Sequence, residues 1–299
     1  MPLKVLLSGS SGLIGSALLL ALRADGHDVK CLVRGAAISP GQVLWHPAGP
    51  LVPDAVSGFD AVIHLAGESI AARWTKTRKR RIAESRIPAT QHLATALCKA
   101  RQRPRVFICA SAIGYYGDRG EEILREDSPS GQGFAAEVCR QWEAAAQAVA
   151  GSGIRAVQIR TGVVLSAAGG ALAKMLPPFR MGAGGKVGSG RQWMSWIDLR
   201  DEVGAIQHLL AAESVSGPVN LVSPNPVRNA EFTKTLAAAL HRPAIFPMPA
   251  FAARLAFGRM ADELLLASQR VQPAKLKSSG YEFHSPDLRT TLEGILEKS

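Results

Sequence analysis

The chain has 299 residues, enough for one large domain or two closely packed ones, and 47% of them are hydrophobic. This composition excludes a disordered chain, and the lack of a Gly-X-Y or heptad period excludes collagen and a coiled coil. The longest apolar run, 17–22, is far shorter than the ~20 residues of a membrane span. The net charge of +11 attracts anions in general, whether nucleic acid, anionic lipid or phosphorylated ligands.

The four cysteines predict a reducing compartment. Cys31, Cys98, Cys109 and Cys139 form no Cys-x-x-Cys pair and no metal-ligand spacing. Two of them, Cys31 and Cys109, fall in apolar, strand-like runs, so we expect buried free thiols and no disulfide framework. Because the first strand pattern begins at residue 3, we expect no targeting leader and a cytoplasmic location.

Strands and helices alternate over the first 165 residues. The hydrophobic pattern predicts strands at 3–7, 27–33, 59–65, 105–109 and 154–159, and helices at 13–24, 74–100 and 134–149. Such alternation gives a parallel sheet with helices on both faces. The sequence therefore predicts an α/β fold with a doubly wound sheet.

The pattern changes after residue 165. Residues 166–195 are rich in glycine and are interrupted by Pro177-Pro178, a helix at 199–210 and a strand at 218–222 follow, and from 224 onward we expect helices with proline-rich connectors. We therefore predict a dinucleotide-binding domain that consists of residues 1–165 and, after an insertion, residues 196–223. Residues 166–195 and 224–299 would form a small, mostly helical substrate lobe.

A glycine-rich turn joins the first strand to the first helix. Gly9, Gly12 and Gly15 allow a tight turn and a close approach of backbone N–H groups to a pyrophosphate, and the helix N-terminus stabilises the negative charge. The second strand then ends at Val33-Arg34, with no acid to bind ribose hydroxyls. A guanidinium suits a 2′-phosphate, so the sequence predicts NADP(H) over NAD(H).

Several motifs occur in an order that resembles one enzyme superfamily. They are Gly9-Ser-Ser-Gly-Leu-Ile-Gly15, 59–67 (Phe-Asp-Ala-Val-Ile-His-Leu-Ala-Gly), 111–117 (Ser-Ala-Ile-Gly-Tyr-Tyr-Gly), the Trp142-Glu143 pair and 188–197 (Gly-Ser-Gly-Arg-Gln-Trp-Met-Ser-Trp-Ile). With them the chain resembles the extended short-chain dehydrogenases/reductases of the NAD-dependent epimerase/dehydratase superfamily, in particular its "epimerase family" subgroup. The resemblance covers nearly the whole chain and implies a Rossmann-type fold.

The resemblance also implies which residues hold the cofactor. The implied set consists of Gly9, Ser11, Gly12, Leu13, Ile14 and Gly15 at the pyrophosphate, Val33 and Arg34 at the adenosine phosphate, Leu65, Ala66 and Gly67 under the cofactor, Arg81 and Arg86 beside it, and Val163 and Val164 near the nicotinamide amide.

The superfamily's usual proton-transfer residues are missing. Its Tyr-x-x-x-Lys pair, in which the lysine lowers the pKa of the tyrosine, occurs nowhere in the chain, and Ala135 and Cys139 take the two positions when the sequences are aligned on Trp142-Glu143. Ala112 takes the position of the usual serine and Arg86 that of the asparagine. The candidate substitutes are Tyr116, Ser111 and Glu68, although each also has a purely structural interpretation.

Two further stretches are candidates for ligand binding. The glycine-rich run 182–190 resembles a lid over a substrate cleft, and Gln192, Trp193 and Trp196 beside it offer an amide and aromatic faces for a substrate pocket, with core packing as the alternative. The basic run 76–81 is interpreted as a solvated helix face and not as a nucleic-acid site, because no aromatic residues interleave it. No histidine spacing indicates a metal.

Two main functions remain open from the sequence, and nucleic-acid binding through the basic run 76–81 is a third, less favoured alternative. The first is an NADP(H)-dependent oxidoreductase or epimerase-like enzyme that acts on a carbonyl or nucleotide-sugar-type small molecule with unusual proton chemistry. The second is a catalytically silent NADP(H)-binding regulatory protein, for example in cell division, since some members of the subgroup carry that label. We expect a monomer or homodimer that binds neither membrane nor nucleic acid.

Overall fold

The computed structural model describes residues 1–35 and 39–297. Its strands are β1 (Lys4–Ser8), β2 (Asp28–Val33), β3 (Gln42–Leu44), β4 (Ala61–His64), β5 (Val106–Ala112), β6 (Ile123–Leu124), β7 (Arg155–Thr161), β8 (Val163–Leu165), β9 (Trp193–Met194), β10 (Trp196–Asp198), β11 (Gly217–Leu221), β12 (Val227–Arg228) and β13 (Arg270–Val271). Seven of them form a parallel sheet in the order β11-β7-β5-β4-β1-β2-β3. The predicted Rossmann-type doubly wound sheet is confirmed.

Helices cover both faces of this sheet. They are α1 (Leu13–Ala24), α2 (Lys76–Glu84), α3 (Ile87–Lys99), α4 (Phe134–Gln147), α5 (Gly170–Arg180), α6 (Leu199–Ala211), α7 (Asn229–Ala239), α8 (Ala250–Phe257), α9 (Ala274–Ser278) and α10 (Leu288–Leu296). Alternate residues of a strand point to opposite faces, so Val5 and Leu7 pack with α1 and α6, whereas Leu6 packs with α3 and α4. Each fully buried side chain of this kind contributes ~1.5–3 kcal/mol to folding.

The sheet has a topological switch point at β1. Its neighbours are β2 on one side and β4 on the other, and the helices α1 and α3, which follow β1 and β4, pack on opposite faces of the sheet. At such a point the loops diverge and leave a crevice beyond the carboxyl ends of the strands. The glycine-rich turn lies at this crevice, between β1 and α1.

The helix predicted over 74–100 is in fact two helices, so that prediction was wrong in its length. Thr75 caps α2 by accepting a hydrogen bond from the Arg78 N–H, and α2 ends at Glu84. Pro88, in the first turn of α3, has no N–H to donate to the Glu84 carbonyl, which a continuous helix would require. The break leaves Arg86 between the two helices.

The glycine-rich segment 166–195 contains the helix α5, which the sequence did not predict. Pro177 and Pro178 lie inside this helix, where we expected an interruption. The helix continues because Leu172, Leu176 and Phe179 bury their side chains in a separate core, which offsets the lost hydrogen bonds.

This separate core belongs to the C-terminal lobe. It combines residues of α5, α7 and α10 with Trp196. One segment that we assigned to the lobe packs elsewhere: Leu276 on α9, with Tyr281 and Phe283, joins the core between α1, α6 and the main sheet. No helix within 1–35 or 39–297 is long and apolar enough to cross a membrane.

Candidate functional site: a dinucleotide cleft at the sheet's carboxyl edge

The glycine turn after β1 is packed so tightly that larger residues do not fit. Gly9 has a φ of +77°, and a Cβ at this position would lie 2.7 Å from the carbonyl carbon of Leu65. A Cβ at Gly15 would lie 2.1 Å from the Gly9 oxygen. The two glycines bring the turn against the end of β4, so the backbone itself forms the floor of the cleft.

The N-terminus of α1 opens onto this turn without a competing anion. Gly12 is the N-cap, no side chain caps the helix, and its first turn contains no acid. The first N–H groups of a helix carry a partial positive charge and suit a phosphate. Of the neighbours predicted to join them, Ser11 is exposed, Leu13 packs against Gly170, and Ile14 packs against the core.

Val33 and Arg34 lie at the end of β2, on the same edge of the sheet. Val33 is half-buried, whereas Arg34 is exposed. Arg34 forms no ion pair with any carboxylate in the described part of the chain. Its guanidinium is therefore available to a ligand in the adjoining crevice.

The loop after β4 rests on a second arginine. The guanidinium of Arg86 lies 3.0 Å from the position that a Cβ on Gly67 would occupy and 5.0 Å from the centre of the Trp142 ring. Arg86 also donates hydrogen bonds to the Ile82 carbonyl and to Ser85 Oγ, and burial lowers its pKa. Arg86 thus places a half-buried cation against Gly67. Arg81 is exposed on α2.

Glu68 continues this loop at the mouth of the cleft. Its N–H donates to Ser85 Oγ, and its carboxylate lies 3.6 Å from the Arg78 guanidinium. The side chain is half-exposed, so it remains accessible to a ligand. Arg78 and Lys79 of the basic run fold inward, onto the Ser69 carbonyl and the Phe134 ring respectively.

A buried histidine supports the same loop from below. His64 Nδ1 and Ser8 Oγ form a hydrogen bond of 2.6 Å, and Ser8 Oγ also lies 3.4 Å from the N–H of Ala66. His64 is fully buried against Trp45 and Phe107. Burial, with the Arg86 charge, lowers its pKa to about 4, so the ring is neutral at pH 7.

Ser111 is held by a buried ion pair. Its Oγ donates to Glu143 at 2.6 Å, and Glu143 in turn pairs with Arg160 at 2.8 Å. Cys139, which takes the family's lysine position, lies beside them, and burial raises its pKa to about 11. It therefore stays a neutral thiol at pH 7 and cannot lower the pKa of a partner as a lysine would.

Tyr116 does not face the cleft, so its placement contradicts the proton-donor hypothesis. Its side chain is 0% exposed, and its hydroxyl lies 2.7 Å from Asn220 Oδ1 and 2.9 Å from the Arg125 carbonyl, while Arg160 donates to it at 2.9 Å. The 3-10 turn Ile113–Tyr116 directs the ring inward beside β7 and β11. Burial raises its pKa to about 12.

Two of the three predicted pocket residues are packing residues. Gln192 is buried and donates to the Val187 and Leu265 carbonyls, and Trp196 is buried in the lobe core with its Nε1 bonded to the Asn225 carbonyl. Both side chains satisfy their polar groups internally, which explains why they do not serve a pocket.

Trp193 remains partly exposed and stacks with two cations. Arg228 and Arg270 lie 4.6 and 4.5 Å from its ring centre, and its Nε1 donates to Glu121. The Nε of Arg270 is buried without a hydrogen-bond partner in the described chain. Of the two cations on the ring, Arg228 is paired with Glu121 at 2.9 Å, whereas Arg270 forms no ion pair within the described residues.

The glycine run 182–190 packs against α5 and the connector that follows α7, which does not fit the lid hypothesis. A Cβ at Gly185 would lie 2.0 Å from the Phe246 oxygen, and one at Gly184 would lie 2.6 Å from the Phe179 ring. Val187 also forms a β-bridge with Met248. The glycines are required by this close backbone packing.

Val163 and Val164 follow the sixth strand of the main sheet and form β8, which pairs with β10. Behind them, Thr161 donates to Glu202 at 2.7 Å. Glu202 is fully buried with its second oxygen unpartnered in the described chain, and burial raises its pKa to about 8. It is therefore largely protonated at pH 7.

Sequence reasoning missed one carboxylate at the cleft. Glu263 lies in the π-helical turn Ala261–Leu265 and accepts a hydrogen bond from the Ala135 N–H at 2.8 Å. It also packs against Gly133, whose φ is +105°. π-Helical turns are frequent at functional sites, but no sequence spacing marks this one. In the described residues no cluster of His, Cys, Asp or Glu could hold a metal ion.

Comparisons with known proteins agree with this geometry. The model of the NAD dependent epimerase/dehydratase family matches residues 5–222, and that of a domain of unknown function, DUF1731, matches residues 248–295. An "Epimerase family protein" of Mycobacterium tuberculosis is 46% identical over 282 residues, which cover 94% of this chain and 93% of that protein. The human epimerase family protein SDR39U1 is 38% identical, over 98% of this chain and 100% of that protein.

A solved structure gives the same result. The human SDR39U1 crystal structure with NADPH superposes with a TM-score of 0.91 at 38% identity, and the match covers 99% of this chain and 100% of that one. MoeE5 in complex with UDP-glucose and NAD shares the fold alone, with a TM-score of 0.78 at 19% identity. The chain therefore belongs to the NAD-dependent epimerase/dehydratase family.

Proposed function

We propose that the protein binds NADP(H) and exchanges a hydride between its nicotinamide and a small carbonyl or nucleotide-sugar-type substrate. The observation that carries this proposal is the turn from Gly9 to Gly15, which leads into an uncapped, acid-free N-terminus of α1. The exposed Arg34 at the end of β2 supports the choice of NADP(H), because a guanidinium neutralises a 2′-phosphate. The NADPH in the human SDR39U1 structure supports the same choice.

The proton that accompanies the hydride needs a group other than the family's tyrosine. When an alcohol carbon gives its hydride to NADP⁺, the hydroxyl proton passes to a base, and both steps reverse on reduction. Tyr116 is buried, and Ser111 is bonded to Glu143. Among the carboxylates at the cleft, we propose Glu68 and Glu263 as the candidate bases, because both are partly exposed.

The substrate would enter between the cofactor cleft and the C-terminal lobe. Trp193 with Arg270 supports an anionic or nucleotide-bearing substrate, since the ring can stack and the guanidinium keeps a buried donor without a partner. The second hypothesis from the sequence, a catalytically silent NADP(H)-binding protein, predicts binding of the dinucleotide without turnover.

A two-part turnover screen tests this proposal. NADPH oxidation is followed by absorbance with panels of aldehydes and ketones, and the stereochemistry of nucleotide sugars is followed by NMR with NADP⁺ present. We expect one substrate class to react, with turnover falling at least ~100-fold in Glu68→Gln or Glu263→Gln and little changed in Tyr116→Phe. NADPH binding with no turnover in either panel would favour the silent protein.

A further inference from the structure

A groove of about 500 Å³ lies on the C-terminal lobe and shares no residue with the dinucleotide cleft. One wall is the outer face of α7, and the other is the connector 242–247. The opposite face of α7 is buried in the lobe core through Phe232 and Leu236. This volume is within the range of small-molecule sites, which is ~300–1,000 Å³.

The charged residues that line the groove are all cations. They are Lys186, Lys234 and Arg242, and no aspartate or glutamate lines it. None of the three forms an ion pair within 4 Å in the residues that the structure describes. Cations gathered without a counter-ion repel one another, and an anion in the groove would remove that cost.

The C-terminal cap of α7 places Arg242 beside the groove. His241, one residue past the C-cap Leu240, has the left-handed φ of 52° that is common at the end of a helix. The reversal lets the N–H of Arg242 donate to the Ala237 carbonyl at 3.0 Å. The Arg242 Nε donates to the Arg180 carbonyl, which leaves both Nη groups without a partner among the described residues.

A threonine hydroxyl adds a fourth donor. Thr233 lines the groove, and its side chain has no hydrogen-bond partner in the described structure. Ala230 and Ala237, one turn away on either side, leave space above it. A hydroxyl that lines the groove without a protein partner can donate a hydrogen bond to an acceptor on a ligand.

We propose that this groove binds the phosphate group of a phosphorylated ligand. A phosphate is strongly negative and offers only acceptors at pH 7, which matches three cations and a hydroxyl. The phosphate would contact Thr233, Lys234 and Arg242, with Lys186 closing the rim, while Ile245 and Pro247 form an apolar wall for the ester group. The ligand is either a free phosphate ester or a phospholipid headgroup, since Ile245 and Phe246 are exposed beside the groove.

Calorimetric titration with pyrophosphate at low ionic strength tests the proposal. We expect one site outside the dinucleotide cleft, with an affinity at least tenfold lower in Lys234→Ala/Arg242→Ala. The matched control, Lys99→Ala/Arg101→Ala, removes the same charge from another exposed surface and should keep the affinity within twofold. The proposal would be overturned if Lys234→Ala/Arg242→Ala kept the wild-type affinity for pyrophosphate. It would also be overturned if the control variant lost as much affinity as Lys234→Ala/Arg242→Ala.

Two further measurements locate the phosphate and its source. Thr233→Val should lower the pyrophosphate affinity about threefold while NADPH binding is unchanged. An unchanged pyrophosphate affinity would show that the hydroxyl is not part of the site.

Sedimentation with vesicles of phosphatidylcholine and phosphatidylglycerol distinguishes a phospholipid headgroup from a free phosphate ester. Vesicle binding that pyrophosphate displaces identifies a lipid headgroup, pyrophosphate binding alone identifies a soluble ester, and binding of neither probe overturns the proposal.

Discussion

The Oε2 of Glu263 accepts a hydrogen bond of 2.8 Å from the backbone N–H of Ala135. A carboxylate from the C-terminal part of the chain thus caps α4 at Ala135, the residue that the resemblance places at the superfamily's tyrosine position. The N-cap residue of α4 is Gly133, which has no side chain that could accept this hydrogen bond. Glu263 therefore joins the turn Ala261–Leu265 to α4, and its side chain stays partly exposed.

Removal of the Glu263 cap should lower the stability of the folded protein. Glu263→Ala should lower the free energy of unfolding by ~1 kcal/mol, the usual value of a lost helix cap. Urea unfolding measures the change, with Glu282→Ala as a control, because Glu282 is exposed and makes no hydrogen bond in the described structure. Equal stabilities of the two variants would contradict a capping role for Glu263.

A substitution at Gly15 tests whether NADPH binding depends on the tight packing of the turn from Gly9 to Gly15. An alanine there would place its Cβ 2.1 Å from the Gly9 oxygen, so the turn must open and NADPH affinity should fall at least tenfold. Gly151→Ala is the matched control, because a Cβ at that position meets no atom within 4 Å. NADPH fluorescence measures both variants. An unchanged affinity in Gly15→Ala would mean that the dinucleotide does not depend on this turn.

Tyr116 should prove structural. Phenylalanine removes the hydroxyl that Asn220 and Arg160 share, so unfolding should become easier by ~1–3 kcal/mol, with NADPH affinity unchanged. Tyr115→Phe is the control, since the Tyr115 hydroxyl makes no hydrogen bond within the described residues. The account of Tyr116 fails if Tyr116→Phe keeps full stability but loses turnover.

Glu202 should make stability depend on pH. Folding raises its pKa from 4.5 to about 8, so the folded state binds the extra proton in between. Its stabilising contribution is therefore complete below pH 4.5 and is lost as the pH rises through 8, by up to ~5 kcal/mol at 1.36 kcal/mol per pKa unit. Glu202→Gln keeps the acceptor for Thr161 and lacks this loss.

The comparison of the two proteins isolates Glu202. Chemical denaturation from pH 4.5 to 9 should show wild type losing stability relative to Glu202→Gln as the pH rises. His64, whose pKa is lowered to about 4, acts in the opposite direction below pH 6.5 and cancels in this difference. Parallel stability curves would show that the carboxyl of Glu202 is not protonated in the folded state.

The sequence predicted six of the seven strands of the main sheet because their signals are local, and it missed β3, a three-residue strand at the edge of the sheet. A strand such as β1 is a short apolar run, and the turn after it needs glycines whose spacing is fixed by the backbone, so α1 was predicted with its observed bounds, Leu13–Ala24. The break between α2 and α3 was missed, although Pro88 marks it in the sequence. The helix α5 was also missed, because its prolines argue against it and only its burial in the lobe core sustains it.

The cleft was predictable only where the backbone forms it. The environment of Tyr116 depends on Asn220, 104 residues away, and that of Glu263 on Ala135, 128 residues away. Neither pairing leaves a periodic or spacing signal in the chain. The Trp142-Glu143 motif did contain a clue, since Glu143 anchors both Ser111 and Arg160.

The most direct test of the central claim is a fluorescence titration of NADPH and NADH against wild type and Arg34→Ala, with Lys30→Ala as a control on the exposed side of β2. We expect Arg34→Ala to weaken NADPH binding at least tenfold, ~1.4 kcal/mol, while NADH binding and the control stay unchanged. Failure of wild type to bind either dinucleotide would contradict the account, and so would an equal loss of NADPH and NADH affinity in Arg34→Ala.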